Sequence, residues 1–371
     1  MQSNDTPHEW AWPPYSFRAR GSLQFVIVPR MLKVRGILYV VTVVSAVVTM
    51  AKETPHKRRP LVHAEAAFQR FFHFPTNMQQ INYLQGQVVS ACGQTYLLHE
   101  ELGRGANAVV FRAINNATGE AQALKLMQNV QDNAEAQQMI RSERESLTLL
   151  RYSPNIIDLY CIEEYREMVV FVMELCSGDL FDAVADYDDE YHPMSFEALV
   201  SQLILPEIRK GIAQMRRYNI AHLDLKPENI LLCQNHLKLI DFGFARIMVD
   251  DLVYDHLPIR GSPKYVAPEI LNQTYSAKAD LYSTGATLEW LLGGDVSPSG
   301  QTSFLPSTTS PAMRALVQSL KQSQAKDRVE FVDFFYFVDE LERTRIEVPS
   351  ELVHQDRRYH STLSQVILSG L

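Results

Sequence analysis

The stretch "AHLDLKPENILL", residues 221–232, sets an Asp, a Lys, a Glu and an Asn within six positions, directly ahead of the aliphatic run Ile230, Leu231 and Leu232. A buried strand beside an exposed polar turn holds the turn's side chains in fixed positions. A second stretch, "LIDFGFAR" at 239–246, repeats the device: an apolar strand delivers a carboxylate, Asp241, to a turn. Several carboxylates crowded against buried strands with no cation or partner would cost several kcal/mol. The two segments therefore read together as one charged site on two apolar supports.

The 371 residues, 46% of them hydrophobic, suffice for one large domain or two lobes with separate cores. Charge is divided unevenly. Residues 1–60 carry nine Lys/Arg against three Asp/Glu (net +6), and the remainder carries 26 against 40 (net −14). An acidic body lacks the clustered cationic face that counterion release requires, which excludes bulk nucleic-acid binding and favours cationic protein substrates. Cys92, Cys161, Cys176 and Cys233 are scattered, with neither zinc-ligand spacing nor a dense disulfide framework, and are expected to be reduced. The uncharged run "GILYVVTVVSAVVTMA", 36–51, is flanked by Arg30, Lys33 and Arg35 before and by Lys52 and "HKRR" after. It is shorter than the roughly 20 apolar residues of a spanning helix. Read from Met31, it has the basic, apolar and small-residue order of a secretory signal. A membrane anchor, a signal and a buried β-branched strand all remain open for it.

Along the chain, residues 1–35 show no sustained period and are expected to form a flexible basic arm. Residues 52–93 form an N-terminal extension in which Phe68, Phe71, Phe72 and Phe74 fall near helical spacing and are read as packing residues. From 94 the texture is one of short strands and turns such as "NNATGE". A helix is expected over 133–151, with Met139, Ile140, Leu147 and Leu150 on one side, and a buried strand over "MVVFVMEL", 168–175. After residue 178 helices dominate, among them 196–219, where Pro206 should bend or interrupt the helix. The expected fold class is α+β: a small β-rich lobe (94–175) followed by a larger helical lobe (176–343), with a tail at 344–371.

The order of these segments resembles the eukaryotic-type protein kinase family, serine/threonine type, over residues 94–343. The resemblance implies a two-lobed protein-kinase-like fold that uses ATP and Mg2+ to phosphorylate protein substrates. "LGRGANAVV" supplies the glycine-rich hairpin over the nucleotide: Leu102, Gly103, Arg104, Gly105, Ala106, Asn107, Ala108, Val109 and Val110. Its small residues let backbone amides approach phosphate oxygens, and Ala108 stands where the family has a third Gly. In "AQALKLM", Ala123 would cover the adenine and Lys125, two residues on, points the same way to reach the phosphates. Glu143 and Glu145 both compete to pair with Lys125. Glu143 is favoured because Leu147 and Leu150 then lie at +4 and +7 on its face. "VMELCSGDLF" resembles the hinge, with Met173 at the back pocket and backbone groups of Glu174 and Cys176 for adenine. Asp179 matches a ribose or substrate contact only approximately, one residue short of the usual spacing.

The resemblance gives the opening stretch its roles. Asp224 would accept the proton of the attacking hydroxyl, Lys226 would neutralise the transferring phosphate, and Asn229 and Asp241 would hold magnesium as hard oxygen ligands. Leu223 stands where many relatives have an Arg that meets a phosphorylated activation segment. Between Gly243 and Ser262 only Tyr254 could accept a phosphate, so activity is expected not to depend on phosphorylation there. "RGSPKYVAPE" resembles the substrate-docking loop, with Ser262 near Asp224, Glu269 paired with Arg328, and Asp280 tying down the catalytic loop. The run "GDLFDAVADYDDEY", 178–191, has six acidic residues and no basic one. It reads as a solvated face or, with Glu228, as a selector of basic residues near the acceptor. The localisation implied is a cytoplasmic kinase domain or, through 36–51, a membrane-associated or secretory one. The rival function is a pseudokinase or scaffold that binds nucleotide or partners without turnover. The sequence leaves substrate and oligomeric state open.

Overall fold

The computed structural model describes residues 84–129, 132–185, 195–234, 236–248, 261–294, 296 and 305–343, together with backbone strands within 10–48 and at 252–254. The chain divides into two units, residues 1–73 and 74–371.

In the first unit, β1 (Trp10–Ala11), β2 (Tyr15–Arg18), β3 (Leu23–Val34) and β4 (Ile37–Val48) form an antiparallel sheet in which β3 pairs with the other three. This corrects the flexible arm expected for 1–35. The β-branched run of β4 gives β3 a partner along its whole length, from Leu23↔Val48 to Val34↔Ile37. Among the described residues no helix is long and apolar enough to cross a membrane. The aromatic-rich "AEAAFQRFFHF" lies outside the described residues.

The second unit opens with a six-stranded antiparallel sheet: β5 (Val88–Ala91), β6 (Gln94–Arg104), β7 (Ala108–Asn115), β8 (Ala121–Gln128), β9 (Leu159–Glu164) and β10 (Met168–Met173). Their spatial order is β5-β6-β7-β8-β10-β9. Period-two alternation decides the faces. Val109, Phe111, Leu124 and Leu126 pack into one apolar cluster with Val170 and Val172, while Met127, Val169 and Phe171 join the larger core on the other side. That core receives α1 (Ala134–Leu149), which starts where the Asn133 side chain accepts the Ala136 amide, and which buries Ile140 and Leu147.

All four cysteines are paired, as Cys92–Cys161 and Cys176–Cys233, which corrects the expectation that they are reduced. The partners lie 69 and 57 residues apart, so no local spacing announces them. The fold does: β5 and β9 are the outer strands of the sheet, yet Cys92, at the turn after β5, bonds Cys161 on β9, and the Tyr165 hydroxyl donates to Ser90 O. The two edges are thus tied to each other at two points.

The helical part holds α2 (Leu180–Ala185), α3 (Phe196–Leu199), α4 (Leu205–Arg217), α5 (Pro268–Leu271), α6 (Ala279–Leu291), α7 (Pro311–Leu320) and α8 (Phe331–Arg343). The helix expected over 196–219 runs from 196 to 217 but widens into a π turn at Val200–Ile204. Pro206 follows the widened turn as the second residue of α4, so the helix is altered ahead of the proline rather than ended by it. Helix α6 is buried on nearly every side and forms the axis of this part. A Cβ on Gly285 would come within 2.8 Å of the Leu320 side chain, so glycine lets α6 and α7 touch. Short pairs complete the frame: β11 (Gly178–Asp179) with β13 (Ile230–Cys233), β13 with β14 (His236–Leu239), β12 (Ile220–Ala221) with β15 (Arg246–Ile247), and β16 (Leu252–Tyr254) with β17 (Thr274–Ser276).

Alkylation of the unfolded, unreduced protein should label no cysteine; labelling of all four would contradict the pairing. Replacing Cys92 and Cys161 by Ser should lower stability by about 4 kcal/mol on the loop-closure estimate, read from a denaturant midpoint.

Candidate functional site

Strand β8 sets Lys125 opposite Phe171 on one side and Val110 on the other. Its amine lies 2.8 Å from Glu143 Oε1 on α1 and 3.0 Å from Asp241 Oδ1. Glu145, the competing carboxylate, is exposed. Lys125 and Glu143 are buried, whereas the Asp241 side chain keeps 45% of its surface open. Lys125 holds the Asp241 carboxyl below its ordinary value. Burial pushes Glu143 up to about 7 against the pull of Lys125, and the charge of Asp241 adds to the rise. The Lys125 ammonium is stabilised by both acids despite its desolvation, so it stays charged.

The catalytic-loop residues converge on a second cluster. The Lys226 amine lies 3.1 Å from Asp224 Oδ2 and donates to the Ser262 hydroxyl at 2.8 Å. The Ser262 amide donates to Asp224 Oδ1 at 2.9 Å. The Asn229 amide nitrogen donates to Asp224 O at 2.8 Å and to its Oδ2 at 3.2 Å, which turns the Asn229 carbonyl oxygen away from Asp224. Two contacts join the Asp224 and Asp241 turns: the Ile240 amide donates to Asn229 O at 3.1 Å, and a His222 ring nitrogen meets Ile240 O at 2.8 Å. Phe242 is fully buried against His222 and in the same core as Leu147.

Backbone strain sits at both carboxylate turns. Leu223 has φ 67° and Asp241 φ 62°, left-handed values that cost a non-glycine residue about 1–2 kcal/mol. Asp280 compensates at the first, accepting the His222 amide at 2.7 Å and the Leu223 amide at 2.8 Å, as expected for it. At the second, Gly243 leaves room: a Cβ there would meet Met139 at 3.3 Å and Asp241 Oδ1 at 3.5 Å. The expected Glu269–Arg328 pair is present as a two-pronged bond of 2.8 and 3.0 Å.

The glycine-rich hairpin is closed by Gly105 N donating to Ala108 O at 2.8 Å, and Asn107 at its tip reaches Met139 Sδ on α1 at 3.6 Å. Ala108 is the first residue of β7, paired with Met127, and its φ is not positive. A third glycine is therefore not required by this backbone. Ala123 pairs with Met173, and both are buried between the lobes. Asp179 accepts the Asp182 amide at 2.9 Å and so serves as the cap of α2. Of the acidic run, 186–191 lies outside the described residues.

Two features of the hinge escape sequence reading. Cys176 is bonded to Cys233 at the end of β13, and the Glu174 carboxylate is gripped by Lys238, which also reaches Asp158 at 3.0 Å. The hinge is thereby fastened to the strand pair that carries the catalytic loop. The only trace in the sequence is Lys238, a lone cation in the apolar strand β14.

The donor set suits a hard divalent cation: the charged, half-open Asp241 carboxylate and the Asn229 carbonyl oxygen offer oxygen ligands beside a clamped ammonium. A β-rich lobe and a helical lobe that carry these groups define a two-lobed kinase. The protein kinase domain family matches residues 96–366. Calcium-dependent protein kinase 5 of Plasmodium berghei (strain Anka) is 35% identical over 200 residues, 52% of this chain and 34% of that protein. Death-associated protein kinase 2 of Mus musculus is 37% identical over 209 residues, 54% of each chain. Serine/threonine-protein kinase ULK1 of Homo sapiens is 32% identical over 276 residues, 67% of this chain and 26% of that protein. The chain belongs to the protein kinase family, of the eukaryotic serine/threonine type, and spans about a quarter to half the length of these relatives.

Because Glu143 titrates near neutrality, kcat/KM for ATP should fall as pH drops through about 7, where protonation leaves Lys125 to Asp241 alone. A pH–rate profile of the wild type should show this acidic limb and Glu143→Gln should lack it; a flat wild-type profile from pH 6 to 8 would contradict the assignment.

Proposed function

We propose that this chain transfers the γ-phosphoryl group of ATP to Ser or Thr hydroxyls of protein substrates. The observation that carries the reading is the convergence of Lys125, Glu143 and Asp241 with Asp224, Lys226 and Asn229 through the Asn229–Ile240 and His222–Ile240 contacts. The substrate oxygen attacks the γ-phosphorus, its proton passes to Asp224, the bond to the bridging oxygen breaks, and ADP leaves. Asp224 is held for this step by the Ser262 amide and by Asn229, so its orientation is set before substrate arrives. Lys226 stands at the same carboxylate, placed to meet charge on the transferring group. Lys125, buttressed by Glu143, is placed to meet the α and β phosphates. Asp241 and Asn229 would hold a magnesium ion, which when bound would supply charge neutralisation at the phosphate oxygens. The adenine is taken between Ala123 and the backbone of Glu174 and Cys176, beneath Leu102–Val110.

Activity is independent of phosphorylation of the activation segment in this reading. Leu223 is buried among Met248, Val266, Ile270 and Tyr275, so apolar packing occupies the place where an Arg would need a phosphate. The strand pair β16–β17 supports the same segment. Exposed Glu228 beside the docking loop supports a preference for basic substrates. The two disulfides support a secretory route or another oxidising compartment over a reducing one, in keeping with the signal-like reading of 36–51. Thiol alkylation of protein taken from its own cells checks this, and free thiols there would exclude it.

Labelled phosphate transfer to a generic basic protein should fall at least 100-fold in Asp224→Asn and be lost in Asp241→Asn. Equal signals from both variants and the wild type would refute phosphoryl transfer by this site, and nucleotide binding without transfer would favour a scaffold. Phosphatase-treated wild type and Tyr254→Phe should retain kcat within about twofold. A drop of tenfold or more would show that the segment needs its phosphate.

A further inference from the structure

The turn between β7 and β8, "NNATGE" at 115–120, holds the triplet Asn116-Ala117-Thr118, the Asn-x-Ser/Thr acceptor sequence for N-linked sugar. The triplet alone is common in chains that never meet the sugar-transfer machinery, so its placement has to decide. Asn115 is buried and shapes the turn, its side chain accepting the Ala117 amide at 2.9 Å and the Thr118 amide at 3.3 Å. Asn116 and Thr118 are both exposed at the tip, and Gly119 follows at φ 76°. Asn115 and Gly119 meet the needs of the turn, and they do not account for an exposed Asn and Thr two residues apart. The Asn116 Nδ2 donates to Thr95 Oγ1 at 3.0 Å, so a hydrogen bond holds the side chain at the surface. That nitrogen carries two hydrogens, and replacing one by a sugar leaves the other for Thr95. Strand β7, eight residues long, sets the turn about 25 Å from the glycine-rich hairpin at the strand's other end, so a bulky substituent would stay clear of the cleft.

The second, independent observation is the pairing of all four cysteines, which suits a compartment where thiols oxidise. Thr95, the partner of Asn116, lies only three residues after Cys92, so the triplet and the Cys92–Cys161 bond mark the same end of the sheet. A chain that acquires such bonds along the secretory route meets oligosaccharide transfer there too. We infer that Asn116 is an N-glycan acceptor. In the transfer, the Asn116 amide nitrogen bonds to C1 of an oligosaccharide carried on a lipid pyrophosphate, and the C1–oxygen bond to the pyrophosphate breaks. The nitrogen gives up one proton to a base of the transferase, and the lipid pyrophosphate leaves. A second triplet among the described residues, Asn272-Gln273-Thr274, is exposed at Asn272, but its threonine is half-buried in β17 opposite Tyr254. That pair is not presented at a tip as Asn116 and Thr118 are, so Asn116 is the site assigned. The inference rests on the oxidising-compartment reading above and is independent of phosphoryl transfer.

The test takes the full chain, expressed in its own cells, and reads peptide N-glycosidase sensitivity, the mass of the peptide that contains Asn116, and cysteine alkylation on the same sample. The wild type should migrate faster after glycosidase treatment, with Asn116 converted to Asp by the enzyme. Asn116→Gln and Thr118→Ala should each abolish modification at this site, and Thr118→Ser, which keeps the hydroxyl, should retain it. Thr118→Ala leaves Asn116 in place, so a loss there reads the triplet rather than the bond to Thr95, and melting temperature reports any damage to the turn. Alkylation-resistant cysteines beside an unmodified Asn116 would overturn the acceptor and leave the oxidising compartment standing. Free thiols together with an unmodified Asn116 would overturn both. A sugar on Asn116 that survives Thr118→Ala would also contradict the assignment.

Discussion

One ammonium shared by two carboxylates organises this molecule. Lys125 comes from the sheet, Glu143 from α1 and Asp241 from the turn after β14, so a single ionic contact ties three separately folded segments. Removing Lys125 would leave Glu143 buried beside a second negative charge, a situation that costs several kcal/mol. The burial that makes the cluster expensive also makes it selective. With α1 packed inward and Phe242 inside the core, all three charges are satisfied together. Asp241 alone stays half open, which leaves a negative oxygen facing the cleft for a cation.

The rest of the frame limits how this cluster can shift. The disulfide Cys176–Cys233 and the Lys238 grip on Glu174 fasten the hinge to β13 and β14, the strand pair that connects the catalytic loop to the Asp241 turn. The disulfide Cys92–Cys161 joins the two edges of the small sheet. Behind the loop, Asp280 holds the strained Leu223 backbone, and Arg328 binds Glu269 while donating to Lys278 O and Gln322 O. Rigid supports on three sides are what a reaction driven by positioning and fixed charge requires.

What the sequence discloses here follows from range. Asp224, Lys226 and Asn229 lie within six residues of each other on a turn bounded by aliphatics, so their convergence is local and readable. Lys125 and Ala123 share a face by strand alternation, and Glu143 shares one with Leu147 and Leu150 by helical spacing; both periodicities are visible in a single segment. The disulfides and the Lys238–Glu174 bridge join residues 57 to 69 positions apart, and no local pattern marks them. The strands of 10–34 are hidden for a related reason: β3 becomes a strand by pairing with β4, and its own stretch holds Pro29 and two basic residues, Arg30 and Lys33, that blur its period. The π turn before Pro206 reflects a backbone adjustment that composition does not encode.

Asp241 and Asn229 together would present oxygen ligands to a cation bound with nucleotide. Calorimetric titration of a non-hydrolysable ATP analogue, with and without Mg2+, measures this directly. Magnesium should tighten binding at least tenfold in the wild type and have no such effect in Asp241→Asn. Binding equally strong without magnesium, or a magnesium response unchanged in Asp241→Asn, would contradict it.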